Sequence, residues 1–143
     1  MNDKYDGEIA AALPRLKVMV VDDDPRYLEL LEFTLEGEGY DVRIVQDPRR
    51  VQELAVSMQP DVIITDVTMP DLDGYALAVG LKSDPSTVGI PLVFVSARGY
   101  NMDRHAGLNI GAVEYLTKPF SIADLLTKIN AIMLTNRPGV AIQ

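Results

Sequence analysis

The chain contains no cysteine and only one histidine among its 143 residues. The first absence excludes disulfides, thiol catalysis and thiolate metal sites. The second leaves too little imidazole for a histidine-rich metal centre. Lysine and arginine number 13 against 21 aspartates and glutamates, a formal charge of −8. Sequence-independent nucleic-acid binding needs clustered cations to neutralise phosphates, so no direct nucleic-acid contact is expected and a protein partner is. No basic segment followed by an apolar stretch opens the chain, and no run approaches the roughly 18 apolar residues of a membrane span. A cytoplasmic protein without membrane association is the expectation. Also missing are internal repeats, low-complexity segments and a phosphate loop of the Gly-x-x-x-x-Gly-Lys-Ser/Thr type. The length suits one domain with a conventional core.

What is present is a set of short apolar runs, each ending in a polar side chain. Val18-Met19-Val20-Val21 runs into Asp22 and Asp23, Val62-Ile63-Ile64-Thr65 into Asp66, Leu92-Val93-Phe94-Val95 into Ser96, and Tyr115-Leu116-Thr117 into Lys118 and Pro119. Asp41-Val42-Arg43-Ile44-Val45 alternates as a further strand. Between the runs lie helical patterns. Asp24-Pro25 starts a helix with Tyr27, Leu28, Leu31 and Leu35 on one face, stopped by Gly37 and Gly39. Asp47-Pro48 opens another, with Val51, Leu54, Ala55 and Met58 facing inward. A third follows Asp73-Gly74 to about Ser83, where Asp84-Pro85-Ser86 breaks it. Between Ser96 and Gly111 the residues Gly99, Asn101, Gly107 and Asn109 lower helix propensity, which predicts a short, mobile helix. Ser121 caps the last helix, with Ile122, Leu125, Leu126, Ile129, Ile132 and Met133 inward.

This alternation predicts an α/β fold, a doubly wound three-layer sandwich around a five-stranded parallel sheet of order 2-1-3-4-5. That order brings the ends of the first and third strands together at the topological switch point, where open α/β sheets bind ligands. Residues 1–14 read as a loosely ordered arm, 15–134 as the folded domain and 135–143 as a tail or the start of a linker.

Asp22, Asp23 and Asp66 then become neighbours. Three crowded carboxylates repel one another unless a cation neutralises them, which implies a hard divalent ion, Mg²⁺. Asp23 and Asp66 are expected as direct ligands, with Asp22 acting directly or through water. Lys118 reaches Asp66 or a phosphoryl oxygen as a point charge, and Ser96 donates a hydrogen bond to another. This is equipment for phosphoryl transfer, where positioning and charge neutralisation dominate. With no evident general base, Asp66 itself is left as the nucleophile and becomes an aspartyl phosphate. Asp24 reads as a helix cap only, and His105 as a surface residue.

Together these residues carry a resemblance. Asp22-Asp23, Asp66 followed by Met69-Pro70-Asp71-Leu72-Asp73-Gly74, Ser96-Ala97, and Gly111-Ala112 through Tyr115-Leu116 to Lys118-Pro119-Phe120 resemble the receiver domain of two-component response regulators, over roughly Arg15 to Leu134. The resemblance implies the flavodoxin-like fold of the CheY-like superfamily. It implies that Asp66 is the phosphoacceptor, that Asp22, Asp23, Asp66 and the Thr68 carbonyl hold Mg²⁺, and that Ser96 and Lys118 sense the phosphoryl group. Tyr115 is similar to the family's aromatic switch, and the Lys118–Pro119 bond to its cis peptide. Thr68 and Arg98 stand where the family varies and tunes the lifetime of the phosphoryl group. The implied donor is a sensor histidine kinase or a phosphotransfer protein, and the implied output is contact with a further protein. A monomer or a phosphorylation-dependent homodimer, and a stand-alone receiver or one excised from a longer regulator or hybrid kinase, all fit.

Two other classes share part of this pattern. A non-phosphorylated module that keeps the fold would be marked by loss of an acidic-pair member, Asp66 or Lys118, and none is lost. Asp71-Leu72-Asp73-Gly74 also spells the first motif of haloacid-dehalogenase-like phosphatases, but that motif must directly follow a buried strand, and Met69-Pro70 intervenes.

Overall fold

The computed structural model describes residues 15–66, 74–96 and 112–136, with backbone only at Gly74, Tyr75, Ser96, Ala112, Val113, Tyr115, Thr135 and Asn136. The expectations for the N-terminal arm, Thr68, the turn before Gly74, Arg98, His105, the helix between Ser96 and Gly111, and the tail beyond Asn136 fall outside the described residues; Thr135 and Asn136, expected at the start of the tail, belong instead to the last helix, Ile122–Asn136.

Five strands make the sheet: β1 Lys17–Val21, β2 Asp41–Val45, β3 Val62–Asp66, β4 Leu92–Ser96 and β5 Ala112–Thr117. All pairs are parallel and the order is β2-β1-β3-β4-β5, as the alternation predicts. β5 starts at Ala112, ahead of the Tyr115-Leu116-Thr117 run, because its pairing with β4 continues to Leu92 opposite Ala112 across a register shift at Leu92/Val93.

Because successive side chains of a strand point to opposite faces, runs such as Val18 to Val21 feed two cores at once. Met19, Val21, Ile63, Leu92 and Phe94 pack on one face against α2 (Val51–Met58) and α3 (Gly74–Ser83), through Val51, Ala55, Leu77, Ala78 and Leu81. Val18, Val20, Val62, Ile64, Val93 and Val95 pack on the other against α1 (Pro25–Gly37) and α4 (Ile122–Asn136), through Leu28, Leu31, Leu35, Leu125, Ile129 and Ile132.

The helix ends follow local chemistry. The Asp24 carboxylate accepts from the Arg26 backbone N–H at 3.0 Å, with Pro25 in the first turn of α1. Gly39, at φ +96°, turns the chain out of α1 toward β2. Asp47-Pro48 opens a single 3₁₀ turn, Pro48–Arg50, that runs on into α2. Ser121 Oγ accepts from the Asp124 N–H at 3.0 Å and caps α4.

Candidate functional site

The sheet register places the candidate residues in one line. Val21 pairs with Thr65, so Asp22 and Asp66 follow side by side. Asp66 pairs with Val95, which precedes Ser96, and Ser96 pairs with Thr117, which precedes Lys118. Asp22, Asp66, Ser96 and Lys118 therefore all stand on the C-terminal edge of the sheet, the edge that carries ligands in folds of this kind.

Three carboxylates meet there. Asp22, Asp23 and Asp66 each offer an oxygen, all within 4.8 Å of one another, with Asp22 and Asp66 buried and Asp23 exposed. Lys118 reaches over from the end of β5: its Nζ donates to Asp22 Oδ2 at 2.8 Å and lies 3.7 Å from Asp66 Oδ2. Asp22 is held further by its Oδ1, which accepts from the Asp24 N–H at 3.0 Å. The Lys118–Pro119 peptide is cis. Although the residue as a whole is exposed, partial desolvation of its carboxyl raises Asp23 above the usual carboxylate range; a hydrogen bond and charge repulsion from Asp22 push the same way, against a backbone hydrogen bond and the attraction of Lys118.

The donor set fits a hard divalent cation. Three carboxylates and one ammonium sum to a charge of −2 in a cluster whose oxygens already converge, and such oxygens are the ligands Mg²⁺ prefers. Asp22 has both oxygens engaged, by Lys118 and by the Asp24 N–H.

The comparisons with known proteins agree with this arrangement. Residues 18–130 match the response regulator receiver domain. The chain belongs to that family. Its relatives include the DNA-binding dual master transcriptional regulator RpaA of Synechocystis sp., 37% identical over 82% of this chain and 48% of that protein. The phosphate regulon transcriptional regulatory protein PhoB of Pseudomonas aeruginosa is 33% identical over 85% of this chain and 53% of its own. The chain thus spans about half the length of the curated relatives it matches. Among solved structures, the receiver domain of a histidine kinase from Syntrophus aciditrophicus is similar with a TM-score of 0.77 and 30% identity, covering 89% of this chain and 96% of that one. The chemotaxis response regulator CheY4 of Vibrio cholerae is similar with a TM-score of 0.76 and 27% identity, covering 83% of this chain and 99% of its own. Receiver domains are signalling proteins that act as phosphorylation-dependent switches, bind Mg²⁺ in an acidic pocket, and interact with histidine kinases and downstream effectors.

In this receiver the structure brings together Asp22, Asp23, Asp66 and Lys118. Ser96 and Tyr115 stand on β4 and β5, at the end of one and in the second half of the other, with their side chains outside the described set; Thr68 lies outside it altogether. One neighbour of the site was not expected. Tyr27, read from the sequence only as part of the apolar face of α1, places its ring 4.2 Å below the Lys118 ammonium. The same ring meets Phe120 edge-on, centroids 6.4 Å apart. The available signal was its position: Tyr27 follows Asp23 by four residues, in the first turn of α1, on the side facing the sheet edge. No described helix is long and apolar enough to cross a membrane.

Proposed function

We propose that this receiver is the phosphoryl-accepting switch of a two-component system or phosphorelay, with Asp66 as the acceptor. The observation that carries the reading is the meeting of Asp66 with Asp22, Asp23 and the Lys118 ammonium at the C-terminal edge of the sheet. An Asp66 carboxylate oxygen attacks the phosphorus of a phosphohistidine on a sensor kinase or phosphotransfer protein. The new P–O bond forms as the P–N bond breaks, and the imidazole leaves with the electron pair. Asp22, Asp23, Asp66 and the Thr68 carbonyl would hold Mg²⁺, which when bound supplies charge neutralisation between the carboxylates and the phosphoryl oxygens. Lys118 and Ser96 each bind a phosphoryl oxygen of the product, and Tyr115 and the segment at Pro119 respond to their movement.

The chain turns over no outside substrate; it catalyses only its own Mg²⁺-dependent phosphorylation and dephosphorylation. The switch unit spans 15–134, flanked by an arm at 1–14 and a tail at 135–143 whose first two residues continue α4, and works in the cytoplasm as a monomer or a phosphorylation-dependent homodimer. Its output is a changed affinity for a protein partner, since only a difference in affinity between the two states transmits a signal.

Intact mass after incubation with acetyl phosphate, with and without Mg²⁺, tests the assignment. One phosphoryl adduct is expected, dependent on Mg²⁺ and absent from Asp66→Asn. Undiminished labelling of Asp66→Asn would overturn the choice of acceptor.

A further inference from the structure

Tyr27 makes two contacts that a core-facing residue of α1 has no need of. Its ring lies beneath the Lys118 ammonium at 4.2 Å, well within the range at which a cation is drawn to an aromatic face. It also meets Phe120, two residues beyond Lys118, edge to face at an interplanar angle of 79°. Its hydroxyl, by contrast, is buried without a hydrogen-bond partner among the described residues. Burial holds that hydroxyl protonated well above its ordinary range, with the charges of Asp22 and then Asp66 adding to the effect. A buried hydroxyl with no partner is a penalty rather than an anchor, so the ring is what ties Tyr27 to the site.

The ammonium is thereby fixed from two sides. Asp22 Oδ2 accepts from it at 2.8 Å, and the Tyr27 face bears on it from α1. Lysine carries its charge on four flexible carbons and binds as a point charge, so nothing in its own geometry aims it. With its side chain about one quarter exposed, Lys118 also has water as an alternative. We infer that Tyr27 is a positioning residue for the phosphoryl-transfer site: its ring holds the Lys118 ammonium beside Asp22 and Asp66, where an incoming phosphoryl oxygen would meet it. The inference rests on the proposed phosphorylation of Asp66 and adds to it a residue that contacts neither the acceptor nor the metal ligands in any bond described.

A comparison of five proteins tests this. The rate of phosphorylation by acetyl phosphate at saturating Mg²⁺ is measured by intact mass for the wild type, Tyr27→Phe, Tyr27→Leu, Lys118→Ala and Tyr27→Leu/Lys118→Ala. Tyr27→Phe keeps the ring and is expected to stay within about twofold of the wild type. Tyr27→Leu is expected to slow the reaction by about three- to tenfold, from the worth of a partly exposed cation–π contact, and to have no further effect once Lys118 is alanine. Equal losses from Tyr27→Leu with and without Lys118, or no loss at all, would overturn the inference; so would failure of Tyr27→Phe to match the wild type. Tyr27→Met serves in the same way should the leucine variant not fold.

A second readout needs no phosphorylation. The Lys118 ε-methylene protons, close to the ring face, are expected to be shifted upfield in the wild type and Tyr27→Phe and to return to ordinary values in Tyr27→Leu. Unshifted protons in the wild type would overturn the contact itself. If the wild type takes no phosphoryl group while the upfield shift is present, the reading of Asp66 has failed and the Tyr27–Lys118 contact has not.

Discussion

Replacing Asp23 by asparagine is expected to make the metal-free protein more stable, against the usual direction of substitutions at a functional site. The carboxylate oxygens of Asp22, Asp23 and Asp66 lie within 4.8 Å of one another. Two unit charges at that separation repel by about 3.5 kcal/mol at an effective dielectric constant of about 20, and by about 0.9 kcal/mol in bulk water. Asp23 is exposed, so the lower figure applies, about 1 kcal/mol from each of two neighbours. Its attraction to Lys118 offsets about half of that, leaving a gain of about 1 kcal/mol. For a chain of this length such a gain raises the melting temperature by about 3 °C. With Mg²⁺ the order should reverse: ligand binding stabilises the folded state by mass action, and the variant has lost a ligand. The pH dependence has a definite sign. The folded-state pKa of Asp23 is raised, so the folded protein binds more protons than the unfolded chain between the ordinary carboxylate value and the raised one. The contribution of this group to stability therefore falls as pH rises through that window. The advantage of Asp23→Asn should be full near neutral pH and vanish on acidification through it. Calorimetry with EDTA and again with Mg²⁺ reads all three effects. A metal-free variant less stable than the wild type, or one stabilised equally by Mg²⁺, would refute the picture of repelling carboxylates completed by a cation.

Lys118→Ala should still take a phosphoryl group from acetyl phosphate but lose the amide shift changes that phosphorylation causes far from Asp66, recorded by heteronuclear NMR; unchanged propagation would remove Lys118 from the switch. Asp24→Ala removes the carboxylate that accepts from the Arg26 N–H and should lower stability by about 1 kcal/mol, seen as a lower urea midpoint at unchanged slope. Ile129→Ala, in the fully buried interface between α4 and the sheet, should cost about 2–5 kcal/mol by the same measurement. Tyr40→Phe breaks the hydrogen bond from Tyr40 Oη to Asn130 Oδ1; because Asn130 is exposed and recovers a water, the loss should stay near 1 kcal/mol or below.

The inner strands of the sheet were legible because they are covered on both faces. Val18, Met19, Val20 and Val21 are all 1% exposed or less, so the run had to be apolar throughout, and no polar side chain could fall inside it until the chain left the sheet at Asp22. The helix starts at Asp24-Pro25 and Asp47-Pro48 were legible for a local reason: each aspartate accepts from the N–H two residues on. The end of α2 was not legible, since Gln59 takes the left-handed conformation at φ 52° where glycine or asparagine would have announced it. Its amide instead donates to the carbonyls of Ala55 and Val56 in its own helix and to that of Ser86, a partner that only the fold brings near. The site divides in the same way. Strand ends predict which residues gather, but not that Lys118 sits closer to Asp22 than to Asp66, nor that an aromatic ring from α1 lies under it.

That detail matters for how a switch at this site could operate. The Lys118 ammonium has three donors; at rest one is committed to Asp22, and Asp66 Oδ2 lies 3.7 Å away against 2.8 Å for the bonded oxygen. Phosphorylation of Asp66 would raise its charge from −1 to about −2, making it the stronger attractor. The ammonium lies only about an ångström farther from Asp66 Oδ2 than from the Asp22 oxygen it bonds, so a short movement brings it to Asp66. So small a movement transmits nothing by itself. It must be read by groups packed against the lysine, and small shifts become larger ones only where packing has two discrete arrangements. Tyr27 touches the ammonium on one side and Phe120 on the other, so it links the charge at Asp66 to the segment that joins β5 to α4. A ring that merely filled space there could be exchanged for leucine without consequence. A ring that reads the position of the ammonium could not.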